Sequence, residues 1–271
     1  MPRIEIVRLG TLPDDLNLRA VQKTANKVQD HFQFVVGDPI NHLGQPNEDG
    51  EYWVADLAAL LEDRRLRNAA EFEIGVTDSP LCEELFSGVD SASNNIAISV
   101  ANIDDLLSKI NKTGAAYVLV EIAAQLLTLD YRRQTALSVE PETCAPPWHE
   151  ETRSCIFDYC GNRPHTVKKL MSPKLCSECE ARFESANIRE SVINACRNMV
   201  KKAVYAKLRN ILNGVLSDPI GQALFGGLFV FLATETLPKI GIGNLMIALL
   251  LLVLLLAIIL KHLWRSRQSS L

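Results

Sequence analysis

Residues 113–129 read Thr-Gly-Ala-Ala-Tyr-Val-Leu-Val-Glu-Ile-Ala-Ala-Gln-Leu-Leu-Thr-Leu. From Val118 to Leu127 only Glu121 and Gln125 are polar. A helix that is apolar almost all round is a buried one, so this segment is expected to be an interior helix. The preceding residues supply elements to cover it. Ile4-Glu5-Ile6-Val7, Phe32 to Val36, Phe72 to Val76 and Ile96 to Val100 read as strands, with Asn94-Asn95 turning the chain into the last of them. Asp14 to Asp30 carries Leu16, Ala20, Val21, Ala25 and Val28 at helical spacing, and Val54 to Leu66 is helical too. His42 to Tyr52, with its Gly, Pro and Asn, is a loop. Strands alternating with helices give an α/β class for residues 1 to about 135.

Composition narrows the function. The 271 residues are 48% hydrophobic and 22% charged, which is globular rather than disordered. Lys and Arg number 28 against 32 Asp and Glu, for a net charge of −4. There is no basic excess to hold phosphate, and no nucleic-acid partner is expected. No phosphate-cradling loop of the P-loop or dinucleotide type is present. The start, MPRIEIVRLG, lacks the apolar run of a secretory signal.

The other end is different. Ile240 to Leu260 are 21 residues without a charge, enough to cover the ~30 Å apolar thickness of a bilayer. Pro219 to Thr234 is a second, shorter apolar run, separated from the first by Glu235-Thr236-Leu237-Pro238-Lys239. Basic residues flank both sides, Lys201 to Arg209 before and Lys261, Arg265 and Arg267 after. Positive flanks stay in the cytoplasm, so a chain with two such flanks is expected to cross twice, with a single span as the alternative. The expected layout is a domain at 1–183, an amphipathic helix at 184–217, a transmembrane hairpin at 218–264 and a basic tail at 265–271. The domain would face the cytoplasm from the cell (inner) membrane, with membrane lipid and a second copy or a protein as partners. The helix from Ser185 to Leu216 aligns Ile188, Val192, Ala195, Met199, Val204, Leu208, Ile211 and Val215. That line packs on its own domain, lies on anionic lipid, or forms a stalk.

Seven cysteines, at 82, 144, 155, 160, 176, 179 and 196, cluster between 144 and 179. An odd, clustered set fits a metal site in a reducing compartment better than a disulfide framework. Cys176-Ser177-Glu178-Cys179 is a CxxC, whose spacing aims two thiolates at one ion. Tetrahedral zinc needs four such ligands. The second pair comes from His149, Cys155 and Cys160: Cys155 with Cys160 gives an all-cysteine site, His149 with Cys155 a three-cysteine, one-histidine site. His165 lies between the pairs and reads as a surface-loop histidine; His31 and His42 carry no signal.

The run Cys155-Ile156-Phe157-Asp158-Tyr159 followed by the CxxC resembles the zinc-rich C-terminal part of archaemetzincins, which are metallopeptidases. The opening strand ending in Leu9-Gly10, the helix and strand after it, and the central helix are similar in order. The resemblance covers residues 1 to 183 and implies a metzincin-like α+β domain with a mixed sheet and a structural zinc held in residues 144–183. Phe157 stands where the turn methionine of that family is expected. Glu150 fills the slot of the first structural cysteine, so His149 beside it is implied as the substitute ligand with Cys155, Cys176 and Cys179; Cys160 is the alternative.

Catalysis in that family needs HExxHxxGxxH, three zinc-binding histidines with the glutamate as base. On residues 120–130 Glu121 alone matches; Val120, Ala124 and Asp130 stand for the histidines and Leu127 for the glycine. A register without an insertion would put the motif on 139–149, with Glu140 as base and only His149 of the ligands, against Pro141, Pro146 and Pro147. His149-Glu150 opens an HExxH of its own, but Arg153 occupies its second histidine. Apolar side chains cannot ligate zinc, so no metallopeptidase activity is expected, and Glu121 is expected to pair with Arg132 or Arg133 or else to sit in a cleft with its pKa raised. The function implied is a membrane-anchored, zinc-stabilised pseudo-metallopeptidase that binds or senses. By analogy of architecture it would be a membrane effector of the bacterial-defence kind. The alternatives are an active membrane-bound zinc hydrolase and a structural subunit of a membrane complex.

Overall fold

A computed structural model describes residues 1–90, 92–110, 113–136, 149, 153–158 and 163–217. The chain divides into two units, Met1–Leu208 and Arg209–Leu271, of which the first holds the sheet and the candidate ligands. The hairpin expected at 218–264 and the tail after it lie outside the described residues. Among the described residues no helix is long and apolar enough to cross a membrane.

The unit is an α/β domain on a five-stranded sheet. Strands β1 (Arg3–Leu9), β2 (Gln33–Val36), β3 (Phe72–Thr77), β4 (Ser87–Val89) and β5 (Ile96–Ser99) are ordered β2-β1-β3-β5-β4. All neighbours are parallel except β4, which runs antiparallel to β5 with Gly88 opposite Ala97. The sheet is therefore mixed, with its antiparallel member at an edge.

Strand periodicity splits the core in two. Ile4, Ile6, Phe34, Phe72, Ile74, Val76, Ile96 and Ile98 point to one face and join the larger core, with α1 (Leu18–Val28) and α4 (Gly114–Ala136). Val7, Leu9 and Ala97 point to the other and meet Leu57 and Leu61 of α2 (Val54–Asn68). Asn17 starts α1, its side chain accepting from the Arg19 and Ala20 amides at 2.9 and 3.2 Å. At Gly75 a β-carbon would collide with Leu9 and Leu61, so α2 sits close to the sheet because this position is bare. Gly75→Ala is expected to cost about 1–3 kcal/mol by overpacking, read as a lowered urea midpoint with an unchanged slope.

Helix α4 is the interior helix expected from its sequence, extended to Ala136. It lies along the antiparallel edge: the Tyr117 hydroxyl donates to the Ser99 carbonyl at 3.0 Å, and Arg132 Nη1 donates to the Val89 carbonyl at 3.1 Å. The short strand β4 and helix α3 (Asp104–Lys109) were not expected from the sequence.

The long C-terminal helix starts later than its spacing suggests. A separate helix, α6 (Ser177–Ser185), precedes α7 (Glu190–Ser217). Between them Asn187 adopts a left-handed conformation (φ 56°), and the Ile188 amide returns to the Phe183 carbonyl at 3.0 Å. That is how a helix ends on Asn. Ile188, Val192, Ala195, Cys196 and Met199 are all buried in the larger core. The first half of α7 thus packs on its own domain.

Candidate metal centre and the buried glutamate

The metal-ligating residues meet at the end of the fold formed by α5 (Arg163–Met171), α6 and the segment before them. Residues 153–158 form a tight turn organised by Asp158, a buried side chain. Its Oδ2 accepts from the Arg153 amide at 2.7 Å and the Cys155 amide at 3.0 Å. Ser154 takes a left-handed φ of 62°. Short bridges link Cys155 to Lys174 and His149 to Asp158, with the His149 amide donating to the Phe157 carbonyl at 3.1 Å. Phe157 packs edge-on against Phe183 of α6, and Phe183 against Tyr131 of α4. Through these rings the metal-site segment is fastened to the central helix.

This scaffold gathers His149, Cys155, Cys176 and Cys179, whose ligand atoms all lie within 4.8 Å of one another. Cys155 Sγ and Cys179 Sγ are 3.8 Å apart. Two sulfurs on a tetrahedral zinc at ~2.3 Å each would stand about 3.8 Å apart; a disulfide would need about 2.05 Å. His149 Nε2 is 3.1 Å from both Cys176 Sγ and Cys179 Sγ, a few tenths of an ångström inside the roughly 3.5 Å edge for nitrogen and sulfur ligands. Cys176 caps the start of α6 and Cys179 lies in its first turn, where the helix dipole favours thiolate.

Electrostatics agree. The S–H of Cys179, and after it the Phe157 and Cys176 amides, hold the Cys155 thiol down at about 5 against burial. Cys179, as donor and as a buried group, is shifted up. Thiols that already stabilise a thiolate among themselves suit a soft, borderline cation. The His149–Cys155–Cys176–Cys179 set fits structural zinc in donor type, number and span. Glu178, between the two cysteines, carries its Oε2 3.9 Å from His149 Nδ1 and is itself held by Arg153 and Arg182 at 2.9 Å each. At 3.9 Å it makes no hydrogen bond to the ring.

Of the residues named from sequence, Cys160 and Glu150 lie outside the described residues. His165 is on helix α5, not on a loop, and does not join the cluster.

Glu121 is 3% exposed. The expected partners Arg132 and Arg133 are both engaged elsewhere, Arg132 with the Val89 carbonyl and Arg133 with Glu71 at 2.7 Å. Arg132 lies three turns and about 16 Å further along the helix than Glu121, and Arg133 is turned about 120° away from it. The partner is Lys169 of α5, whose Nζ stands 3.1 Å from Glu121 Oε1 with both side chains buried. On the other oxygen, Ser87 of β4 donates at 2.6 Å, and Gln125 donates in turn to Ser87 Oγ at 2.7 Å. Val120 and Ala124, in the slots of helical histidines, are each 1% exposed. Ser87, Gln125 and Lys169 had no part in the reading from sequence. Gln125, four residues after Glu121 and on its face, was the one available signal.

No family model and no curated protein matches the chain. Among solved structures it is similar to the archaemetzincin of Archaeoglobus fulgidus in complex with malonate, at 14% identity and a TM-score of 0.43, covering 66% of this chain and 99% of that one. It is also similar to the archaemetzincin of Methanopyrus kandleri, at 14% identity and a TM-score of 0.45, covering 69% and 96%.

Proposed function

We propose that this chain is a zinc-stabilised, metzincin-type module that binds rather than cleaves, tethered to the cytoplasmic side of a membrane through the apolar residues after 217. One zinc, on His149, Cys155, Cys176 and Cys179, fastens the segment from 149 to 185. The observation that carries the reading is the state of Glu121. A zincin base must face a metal-bound water. Here one carboxylate oxygen is taken by the Lys169 ammonium and the other by the Ser87 hydroxyl, and Val120 and Ala124 offer no lone pair to a metal. Lys169 supplies the positive charge at this carboxylate without any ion, and the network holds α4, α5 and β4 together. The tether rests on the uncharged run Ile240 to Leu260.

Two assays test this. The full chain in detergent, loaded with zinc, is expected to leave a mixed peptide library uncut at any pH from 6 to 9. Cleavage lost on Glu121→Gln would overturn the reading. The full chain is expected to float with liposomes, and a chain ending at residue 217 to stay in the dense fraction. Flotation of both would remove the tether from the proposal.

A further inference from the structure

A second buried acidic group lies on the opposite face of the sheet, against α2. Glu5 of β1 and Glu73 of β3 are direct cross-strand partners, 4% and 0% exposed. One guanidinium serves both. Arg64 of α2 places Nη2 2.9 Å from Glu5 Oε1 and Nε 3.6 Å from Glu73 Oε2. Its Nη1 is already donating to the Asp38 carbonyl at 2.6 Å. Asn68 Nδ2 donates to the second Glu5 oxygen at 2.8 Å.

Glu5 therefore has a donor on each oxygen, and neither oxygen of Glu73 receives one. Arg65 is the other cation facing Glu73 from α2, and Glu62 holds it through two hydrogen bonds of 2.9 and 2.6 Å. From the β5 side the facing group is Asn95, uncharged, whose Oδ1 takes the Glu73 amide at 3.1 Å. Gly37 closes the cluster: a β-carbon there would collide with the Glu5 carboxylate and the Arg64 guanidinium. Two carboxyls thus meet one shared cation in a dry place. Adjacent buried carboxylates cannot both ionise cheaply, and a proton between them is the missing donor.

We propose that Glu73 holds a proton in the folded chain at neutral pH, so that its place beside Glu5 on the β1–β3 pair under α2 is a proton-binding site that releases its proton on alkalinisation. Burial, then the charge of Glu5, raise Glu73 to about 8 against the pull of Arg64. The sign follows from linkage. Unfolded, Glu73 ionises near its ordinary value of 4.5. The stability held by the protonated pair is complete below that pH. It drains as pH rises towards about 8 and falls no further beyond.

The test is thermal melting of the full chain in mild detergent, parent against Glu73→Gln, between pH 5 and 9. Glutamine offers a donor at every pH. The variant and parent are expected to melt within about two degrees of each other at pH 5, and the variant several degrees higher at pH 9. Titrations elsewhere, Asp130 included, are common to both chains and cancel. A melting difference that does not change with pH overturns the proposal. If the variant does not fold, the parent alone decides it by infrared spectroscopy. A protonated-carboxyl stretch that persists above pH 7 and titrates away near pH 8 is expected, and its absence above pH 7 overturns the proposal.

Discussion

Cys179→Ser is expected to abolish stoichiometric zinc and to loosen the fold from residue 149 onward. A serine hydroxyl is a poor ligand for zinc, and three remaining donors leave the ion open to exchange. Structural zinc contributes on the order of 10 kcal/mol to the folding of small metal-dependent units. Here the fastened segment also buries Phe157 and Phe183 against α4, so the loss will be smaller than that but still the largest of any single change. Removal of zinc from the parent by a strong chelator should have the same consequence. Amide hydrogen exchange checks both. Residues 153–158 and α6 should lose protection by a factor of about 10² or more, while β1, β3 and β5 keep theirs. Uniform protection in apo protein would mean that the four side chains close the turn without an ion.

Lys169→Met is expected to cost about 3–5 kcal/mol, because it leaves the Glu121 carboxylate buried with only Ser87 as donor. Glu121→Gln should cost a similar amount by stranding the ammonium. The double variant, Glu121→Gln with Lys169→Met, should recover most of the loss, since two neutral side chains of like volume replace the pair. Urea unfolding of the four chains yields the coupling between the two positions. A coupling near zero would mean that the 3.1 Å contact contributes nothing and that Glu121 is kept in place by Ser87 and Gln125 alone. A coupling of several kcal/mol would establish that the buried pair itself ties α4 to α5.

Much of this was legible in the sequence, for identifiable reasons. The run around Glu121 has no polar face, so its burial was readable from the residues alone. The strands β1, β2, β3 and β5 are bounded by turn residues and rich in Ile, Val and Phe, so these four were readable, while their order in the sheet was not. The CxxC and Cys155 announced a metal, and the adjacency of His149 to a substituted ligand slot pointed to the fourth donor. What escaped has physical causes. Strand β4 is three residues long, too short for alternation to show. Helix α6 carries the CxxC, whose spacing read as a metal motif rather than as a helix, and a left-handed residue, Asn187, separates it from α7. Lys169 lies 48 residues from Glu121, and a lysine in an amphipathic segment reads as solvent-exposed. Its burial follows from the packing of α5 against the rest of the fold, which no local pattern encodes. Arg132 and Arg133 were attractive partners only because they are near in sequence; on the helix they lie three turns beyond Glu121, out of its reach.

The central claim is that the ion belongs to the cysteine cluster and that the helix carrying Glu121 holds none. Metal content of the full chain, measured beside that of Glu121→Gln and Cys179→Ser, tests it most directly. One zinc per chain is expected in the parent, the same in Glu121→Gln, and essentially none in Cys179→Ser. Two ions in the parent, one of them lost with Glu121→Gln, would contradict it.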